Sequence, residues 1–230
     1  MVRELPLKLP CAQLHKNPLM KNSKPIRILV VDDHFMVRMG LSASLNVELD
    51  MEVVAEASSG EAALEAYRQY HPSLVLMDLR LPGMSGTDCT AAMIQEFPDA
   101  SILMVSTHSG EEEIYRAMQA GARGYIVKSI LREELLGAVR EVYQGRTYVD
   151  PIVASQLAER QFHRSLSGRE VEVLRMVAKG LGNKEIASAL KIAEVTVKLH
   201  VSHVLEKLKV KDRTQAATVA LQRGIISLDA

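Results

Sequence analysis

Several side chains that can do chemistry stand at the ends of apolar runs in this chain of 230 residues. Asp78 ends one such run, Asp32 and Asp33 end another, Ser106 ends a third, and Lys128 follows a fourth. Carboxylates offer the hard oxygen ligands that suit Mg²⁺, and an aspartate carboxylate can form an acyl phosphate as a nucleophile. The combination predicts that Asp78 receives a phosphoryl group beside a bound Mg²⁺.

Strands and helices that alternate from residue 26 onward must position these side chains. Repeated βα units of this length form a five-stranded parallel sheet, flavodoxin-like and doubly wound, with helices on both faces. Open α/β sheets bind ligands beyond the carboxyl ends of their strands, so the side chains above are expected at one edge. The apolar pattern predicts the strands at 26–31, 52–57, 73–77, 101–106 and 123–127.

Each residue taken alone has a simpler explanation. An Asp that follows a strand often caps a helix, and Asp33 stands just before a helical run. A lone Lys is usually solvated, and Tyr125, on a predicted edge strand, would by itself more often be a packing residue. The shared place at strand ends, in this order, favours a functional site over the separate explanations. Within it Lys128 would pair with Asp78, while Ser106 and Tyr125 would turn inward once a phosphoryl group arrives.

Charge and composition divide the chain into two parts. Residues 25–150 hold 10 Lys or Arg against 19 Asp or Glu, about −9, whereas residues 151–230 hold 13 against 8, about +5. An acidic module joined to a basic one indicates that the basic one binds a polyanion. The two cysteines have no metal-ligand spacing, and no apolar run has the ~18–20 residues of a membrane helix, so we expect a cytoplasmic protein.

The strand pattern stops after the fifth βα unit, and only helical patterns follow. The short turn between two of these helices predicts a helix-turn-helix, whose second helix enters the major groove of DNA. The helical patterns lie at 167–179, 183–190, 194–209 and 213–223. The predicted organisation is a disordered leader at 1–24, an α/β module at 25–144, a linker at 145–164 with a short helix at 151–160, and a helical module at 165–230.

The helix at 194–209 has two different faces. At ~100° per residue, Val197 and Val204 fall on an apolar side, whereas Lys198 and Leu199 lie on the other. Leu199 has no place in a core there, but it can contact a thymine methyl, and Lys198 can reach a guanine edge or a phosphate. A solvated face with one stray leucine is the alternative.

Residues 26–144 resemble the receiver domain of bacterial response regulators. Three motifs and Ser106 carry the resemblance: Val-Val-Asp-Asp-His at 30–34, Leu-Met-Asp-Leu-Arg-Leu-Pro-Gly-Met-Ser-Gly at 76–86, and Gly-Ala-Arg-Gly-Tyr-Ile-Val-Lys at 121–128. Ser106 stands where many receivers have Thr, which keeps the hydroxyl.

This resemblance implies a phosphodonor and a metal site. A sensor histidine kinase would phosphorylate Asp78, and Mg²⁺ would be held by Asp32, Asp33, Asp78 and the main-chain carbonyl of Arg80. Ser106, Tyr125 and Lys128 would then be the residues that respond to phosphorylation.

The second module resembles the LuxR-type domain of the NarL/FixJ class. Leu-Ser-Gly-Arg-Glu at 166–170, Gly-Asn-Lys-Glu-Ile-Ala at 182–187 and Thr-Val-Lys-Leu-His-Val at 196–201 carry the resemblance. Ser202 stands where a Lys is frequent in this class. The resemblance implies that bases are contacted by Lys198, Leu199 and Ser202, and the DNA backbone by Lys184 and Thr196.

Together these features indicate a phosphorylation-dependent transcriptional regulator that binds double-stranded DNA as a homodimer, a switch and not a metabolic enzyme. A phosphohydrolase of the haloacid-dehalogenase type is the rival interpretation. That chemistry needs a second Asp two residues after the nucleophile, and here the position is Arg80. A regulator that binds DNA without phosphorylation is the third interpretation, and the intact set of acidic residues argues against it.

Two further expectations concern assembly and control. The helix at 213–223 is expected to form the dimer contact through Ala216, Val219, Ala220 and Arg223, with packing inside the domain as the alternative. The acidic residues 111–113 are expected to mask the recognition helix before phosphorylation, since the two modules carry opposite charge.

Overall fold

The computed structural model describes residues 24–107, 110–160 and 165–226. The expected disordered leader, apart from Lys24, lies outside these ranges. The first module is a parallel sheet with strand order β2-β1-β3-β4-β5-β6. Its strands are β1 (Ile26–Val31), β2 (Met51–Ala57), β3 (Leu74–Asp78), β4 (Ile102–Ser106), β5 (Gly124–Val127) and β6 (Tyr148–Val149).

Five helices cover the two faces of this sheet, as the doubly wound pattern predicts. They are α1 (Phe35–Asn46), α2 (Gly60–Tyr70), α3 (Gly86–Glu96), α4 (Glu111–Gln119) and α5 (Arg132–Tyr143). One core joins the sheet to α2, α3 and α4, and the other joins it to α1 and α5. Strands β3 and β4 are buried along their whole length, which explains why their sequences read as continuous apolar runs.

The sixth strand is the difference from the predicted sheet. Tyr148 and Val149 pair in parallel with β5, so Tyr125 does not lie on an edge strand. A strand of two residues is too short to show a period of two in the sequence, so it was not predicted. Helix α6 (Pro151–Arg160) follows at the expected place, and Val153 is buried against the core that contains α4. The predicted linker is therefore partly built into the first module.

The second module has four helices close to their predicted bounds: α7 (Gly168–Ala178), α8 (Asn183–Leu190), α9 (Glu194–Leu208) and α10 (Arg213–Gln222). Helix α7 begins with a capping box, in which the Ser167 hydroxyl accepts from Glu170 N and Glu170 accepts from Ser167 N. Lys207 of α9 lies 2.7 Å from the same Glu170 carboxylate and ties the two helices together. In the ranges described above, no helix has the length and apolar character needed to cross a membrane.

The modules touch where α10 ends and α4 begins. Glu112 N donates to the carbonyl oxygen of Arg223 at 3.0 Å, so an amide of the first turn of α4 binds the last turn of α10. The approach is close, because a Cβ on Gly110 would lie 2.8 Å from Gly224 N. The acidic start of α4 therefore contacts α10, whereas it was expected at the recognition helix.

Candidate functional site

The parallel sheet brings the predicted site residues to one edge. Asp78 is the last residue of β3 and Ser106 the last of β4, while Asp32 and Lys128 directly follow β1 and β5. Parallel strands in register end at the same edge, so residues 32 and 128 meet although 96 positions separate them in the chain. The geometry is a consequence of strand order, which places β3 between β1 and β4.

Lys128 joins the two buried carboxylates. Its Nζ lies 2.8 Å from Asp78 Oδ2 and 2.6 Å from Asp32 Oδ2. Asp78 and Asp32 are buried, with 4% and 1% of their surface exposed, whereas Asp33 lies at the rim. Asp33 does not cap α1, because the N-cap position is His34 and has no side-chain capping bond. The helix-capping explanation for Asp33 is thereby removed.

Burial and charge shift the pKa values in this pocket. Burial raises the pKa of Asp78, and the negative charge of Asp32 adds to this, although Lys128 and the backbone N–H of Arg80 oppose it. Burial lowers the pKa of Lys128, but its ion pair with Asp32 and its hydrogen bond to Asp78 outweigh burial, so this pKa is raised overall. The ammonium is therefore held charged between two carboxylates, the state that a transferred phosphoryl oxygen requires.

The donor set fits a hard divalent cation. The carboxylates of Asp32, Asp33 and Asp78 have oxygens within 4.8 Å of one another, with His34 in the same group. Lys128 supplies one positive charge against these three carboxylates, which leaves an excess of negative charge for a cation to neutralise. Oxygen ligands in this number suit Mg²⁺, which takes few carboxylates and keeps several waters. His34 was not singled out from the sequence, although its position next to Asp33 in the chain could have indicated that it lies at this site.

Ser106 and Tyr125 already point into the core. Ser106 is 1% exposed and Tyr125 is fully buried, and their hydroxyls are hydrogen-bonded to each other. Burial raises the pKa of Tyr125 well above its ordinary value. Both side chains are already buried in this structure, because β6 covers β5 and the tyrosine packs under α4 and α6. Their movement on phosphorylation stays a prediction.

A polar chain leads from the pocket to the second module. The loop after Asp78 folds back tightly: a Cβ on Gly86 would lie 1.9 Å from the carbonyl oxygen of Asp78, so this position requires glycine. From the same loop, Arg80 binds Glu113 of α4 at 3.3 Å. Glu113 in turn packs against Gly224, just beyond α10. Sequence reasoning did not find this connection, because it joins three segments that are distant in the chain.

Helix α9 separates its residues as the periodicity predicts. Val197, Val204 and Leu208 are buried in the helical core. On the opposite face Lys198, Leu199 and Ser202 are exposed, and Thr196 is half-buried. Lys184 is exposed on α8. The pKa of Glu194 is lowered chiefly by its hydrogen bond from Lys198, and the charge of Lys184 adds to this effect. Four of the five predicted DNA contacts are thus exposed, and Val195, 72% exposed on the same helix, was not singled out from the sequence.

The predicted dimer residues on α10 are placed differently. Ala216 and Ala220 are 1% and 0% exposed and belong to the core of the module, so the alternative of packing within the domain applies to them. Arg223 lies beside Glu111, 3.9 Å from its carboxylate, at the contact between the modules. The small alanines allow α10 to approach α7 and α9, and the exposed side of α10 is formed instead by Thr214, Thr218 and Gln222.

Sequence models of two families match this chain. The model of the response regulator receiver domain matches residues 28–140. The model of the bacterial regulatory proteins of the luxR family matches residues 164–220. Among curated proteins, the response regulator protein VraR of Staphylococcus epidermidis is 39% identical over 206 residues, which cover 87% of this chain and 99% of that protein. VraR of Staphylococcus aureus is equally similar, with 39% identity over 206 residues.

Solved structures give the same result. The response regulator ChrA of a heme-sensing two-component system is 36% identical, with a TM-score of 0.55 over 89% of this chain and 100% of that one. RcsB of Salmonella enterica serovar Typhimurium, solved on a promoter with the phosphomimetic BeF3⁻, is 22% identical with a TM-score of 0.68. The alignment covers 85% of this chain and 98% of RcsB, and at this identity it supports the shared fold.

Proposed function

Because this chain belongs to the two-component response regulators with a LuxR-type DNA-binding domain, we propose that Asp78 is its phosphoacceptor. The observation that carries the proposal is Lys128, which lies within 2.8 Å of Asp78 and 2.6 Å of Asp32 in a buried pocket. The phosphodonor is a sensor histidine kinase, as receiver domains of this family use. The phosphoryl transfer takes place in the cytoplasm, where the DNA is also found.

The residues of the pocket have separate tasks in this reaction. An oxygen of Asp78 forms the new bond to phosphorus while the bond from phosphorus to the kinase histidine breaks, and the imidazole leaves. Lys128 leaves Asp78 and pairs with a phosphoryl oxygen, and the Ser106 hydroxyl donates a hydrogen bond to another phosphoryl oxygen. Asp32, Asp33, Asp78 and the Arg80 carbonyl would hold Mg²⁺, which neutralises charge on the transferred oxygens. The chain acts as a switch that modifies itself and is not a metabolic enzyme.

Intact-mass measurement tests the phosphoacceptor. Incubation with a small acyl phosphate and Mg²⁺ should add one phosphate to the protein and none to Asp78→Asn. Asp88→Asn is the matched control, because this exposed carboxylate lies on α3 next to its Ser85 cap. Labelling of Asp78→Asn, or labelling that survives removal of Mg²⁺ by a chelator, would contradict the proposal.

The second module supplies the output of the switch. Lys198, Leu199 and Ser202 face the bases of double-stranded DNA, and Lys184 and Thr196 lie near its backbone. The active form binds as a homodimer, with the exposed side of α10 as the contact. RcsB was solved on promoter DNA with the same fold, which supports DNA as the partner. Thr218→Glu should abolish dimers on DNA in size-exclusion and gel-shift measurements. Val219→Glu, at a half-buried position, tests the dimer contact that was expected from the sequence.

We propose that the contact between α4 and α10 restrains the unphosphorylated protein. Arg80 follows the phosphoacceptor and binds Glu113, which packs on the end of α10. A phosphoryl group on Asp78 changes the charge next to Arg80, so the position of Glu113 reports phosphorylation to α10. The restraint acts on the helix that is proposed to form the dimer, because Glu112 N holds its last turn.

Two glycines of the first module provide a matched test. A Cβ on Gly110 would meet backbone atoms of residues 223 and 224 at 2.8 Å, whereas a Cβ on Gly137 would meet nothing within 4 Å. Unphosphorylated Gly110→Ala should therefore bind DNA as tightly as phosphorylated wild type, about tenfold above unphosphorylated wild type. Gly137→Ala should behave as wild type. Equal affinities of Gly110→Ala and wild type without phosphate would exclude the restraint.

A further inference from the structure

His34 brings a nitrogen donor to the rim of the acidic pocket. Its side chain is 70% exposed, and its ring Nδ1 lies 2.7 Å from Asp33 Oδ1 and 3.6 Å from Asp32 Oδ1. His34 occupies the N-cap position of α1, yet its side chain makes no capping bond to the helix. Neither helix capping nor core packing accounts for the position of this imidazole.

The two oxygens of Asp32 face different partners, and one of them faces His34. The backbone N–H of His34 donates to Asp32 Oδ1 at 2.9 Å, whereas Lys128 Nζ lies 2.6 Å from Asp32 Oδ2. Asp32 is 1% exposed, so this orientation is held by buried contacts. One potential ligand atom from each of Asp32, Asp33, His34 and Asp78 lies within 4.8 Å of the others. The imidazole therefore belongs to the same group of donor atoms as the three carboxylates.

The spacing between the His34 nitrogen and the Asp33 oxygen fits two neighbouring ligands of one ion. When six ligands surround an ion as an octahedron at ~2.1 Å, adjacent ligand atoms lie ~3 Å apart. The separation of 2.7 Å between His34 Nδ1 and Asp33 Oδ1 is close to this value. In the metal-free pocket these two atoms are joined by a hydrogen bond, and a cation that binds both takes the place of its proton.

An imidazole changes which cation a carboxylate pocket prefers. Mg²⁺ takes oxygen ligands, whereas first-row transition-metal ions also bind imidazole nitrogen. Three carboxylates keep the donor set hard, which suits Mn²⁺ better than the softer ions of the series. Among divalent ions, Mn²⁺ therefore matches both the oxygens and the added nitrogen of this pocket.

We infer that His34 Nδ1 is a ligand in the acidic pocket and makes the site select Mn²⁺ over Mg²⁺. The inference rests on the proposed metal site beside Asp78 and names the residue that decides which ion this site takes. Mn²⁺ binds His34 in addition to the carboxylates, whereas Mg²⁺ uses the oxygen ligands alone. His34 is thus a specificity residue for the ion that accompanies phosphorylation.

Electron paramagnetic resonance of the unphosphorylated full chain tests the inference without any phosphoryl transfer. The signal of free Mn²⁺ gives its dissociation constant, displacement by Mg²⁺ gives the second one, and nitrogen coupling in pulsed spectra reports a bound imidazole. Wild type is compared with His34→Ala. His203→Ala is the matched control, because it removes an imidazole that lies 3.9 Å from the single carboxylate of Glu170 in the second module.

His34→Ala should raise the dissociation constant for Mn²⁺ about tenfold, change that for Mg²⁺ by less than about twofold, and abolish the nitrogen coupling. His203→Ala should match wild type in all three measurements. An unchanged Mn²⁺ affinity, or a nitrogen coupling that persists in His34→Ala, would overturn the inference. Equal losses for both ions would also overturn it, because they would indicate a general effect on the pocket.

The same measurements separate this inference from the proposed metal site on which it rests. Wild type that binds neither ion would overturn the Mg²⁺ site together with the role of His34. Mg²⁺ binding that is accompanied by no effect of His34→Ala on Mn²⁺ would overturn the role of His34 alone. Thermal melting in a chelator should be the same for His34→Ala and wild type, because the side chain is exposed and caps nothing. A lost Mn²⁺ affinity then does not arise from unfolding.

Discussion

The two sites of this protein are built in opposite ways, and two lysines show the contrast. Lys128 has 12% of its side chain exposed and lies between two buried carboxylates that come from other strands. Lys198 has 61% of its side chain exposed and pairs with Glu194, one turn away on the same helix. The first site exists only when a whole sheet has formed, and the second needs one helix held by its buried face. In a buried site, the charges that carry the chemistry also change the stability of the fold. In an exposed site, a residue can contribute to binding with little effect on stability.

Of these variants, Lys128→Ala should lose the most stability. Removal of the ammonium leaves Asp32 and Asp78 buried side by side without a counter-charge, which should cost about 3–5 kcal/mol of unfolding free energy. Urea denaturation in a chelator measures this loss, and addition of Mg²⁺ should recover part of it. A loss below about 1 kcal/mol would show that the pocket is hydrated and that the pair is not structural.

Asp78→Asn should shift stability in the opposite direction. The pKa of Asp78 is raised in the folded protein, chiefly by burial, so its contribution to stability is present below the unfolded pKa and is lost as pH rises through the folded pKa. At pH 7 the charged carboxylate therefore opposes folding, and its removal should stabilise the protein by about 1 kcal/mol, as functional charges often do. Below pH 4 the advantage should disappear. An Asn variant that is less stable at pH 7 would contradict the sign of this shift.

Lys198→Ala should have the smallest effect on folding and act on binding alone. An exposed lysine paired within one helix contributes little to stability, so the denaturation midpoint should match wild type. Affinity for DNA should fall, and the slope of log affinity against log salt should decrease by about 1, because one phosphate or base contact is lost. Leu199→Ala is the matched variant and should lower affinity without a change in slope. An affinity of Lys198→Ala equal to that of wild type would remove this lysine from the interface.

The difference between the sites also decides how far the sequence could predict them. In α9, inward and outward residues follow from a period of 3.6 within 15 residues, so the exposure of Lys198, Leu199 and Ser202 was predictable. In the pocket, strand ends were predictable from apolar runs, but their convergence needed the rule that parallel strands end at one edge. The burial of Tyr125 was foreseen only as the alternative of a packing residue, because the two-residue strand that covers it has no sequence period.

The sequence by itself determined the two modules, the alternating strands and helices, the capping box at Ser167 and the strand-end carboxylates, because each depends on local spacing or on order along the chain. Only the tertiary structure decided three other features. Lys128 bridges Asp32 and Asp78, Ala216 and Ala220 face the core of their own module, and α10 ends on the first turn of α4. These depend on which surfaces pack together, and packing partners distant in the chain leave no periodic signal in either segment.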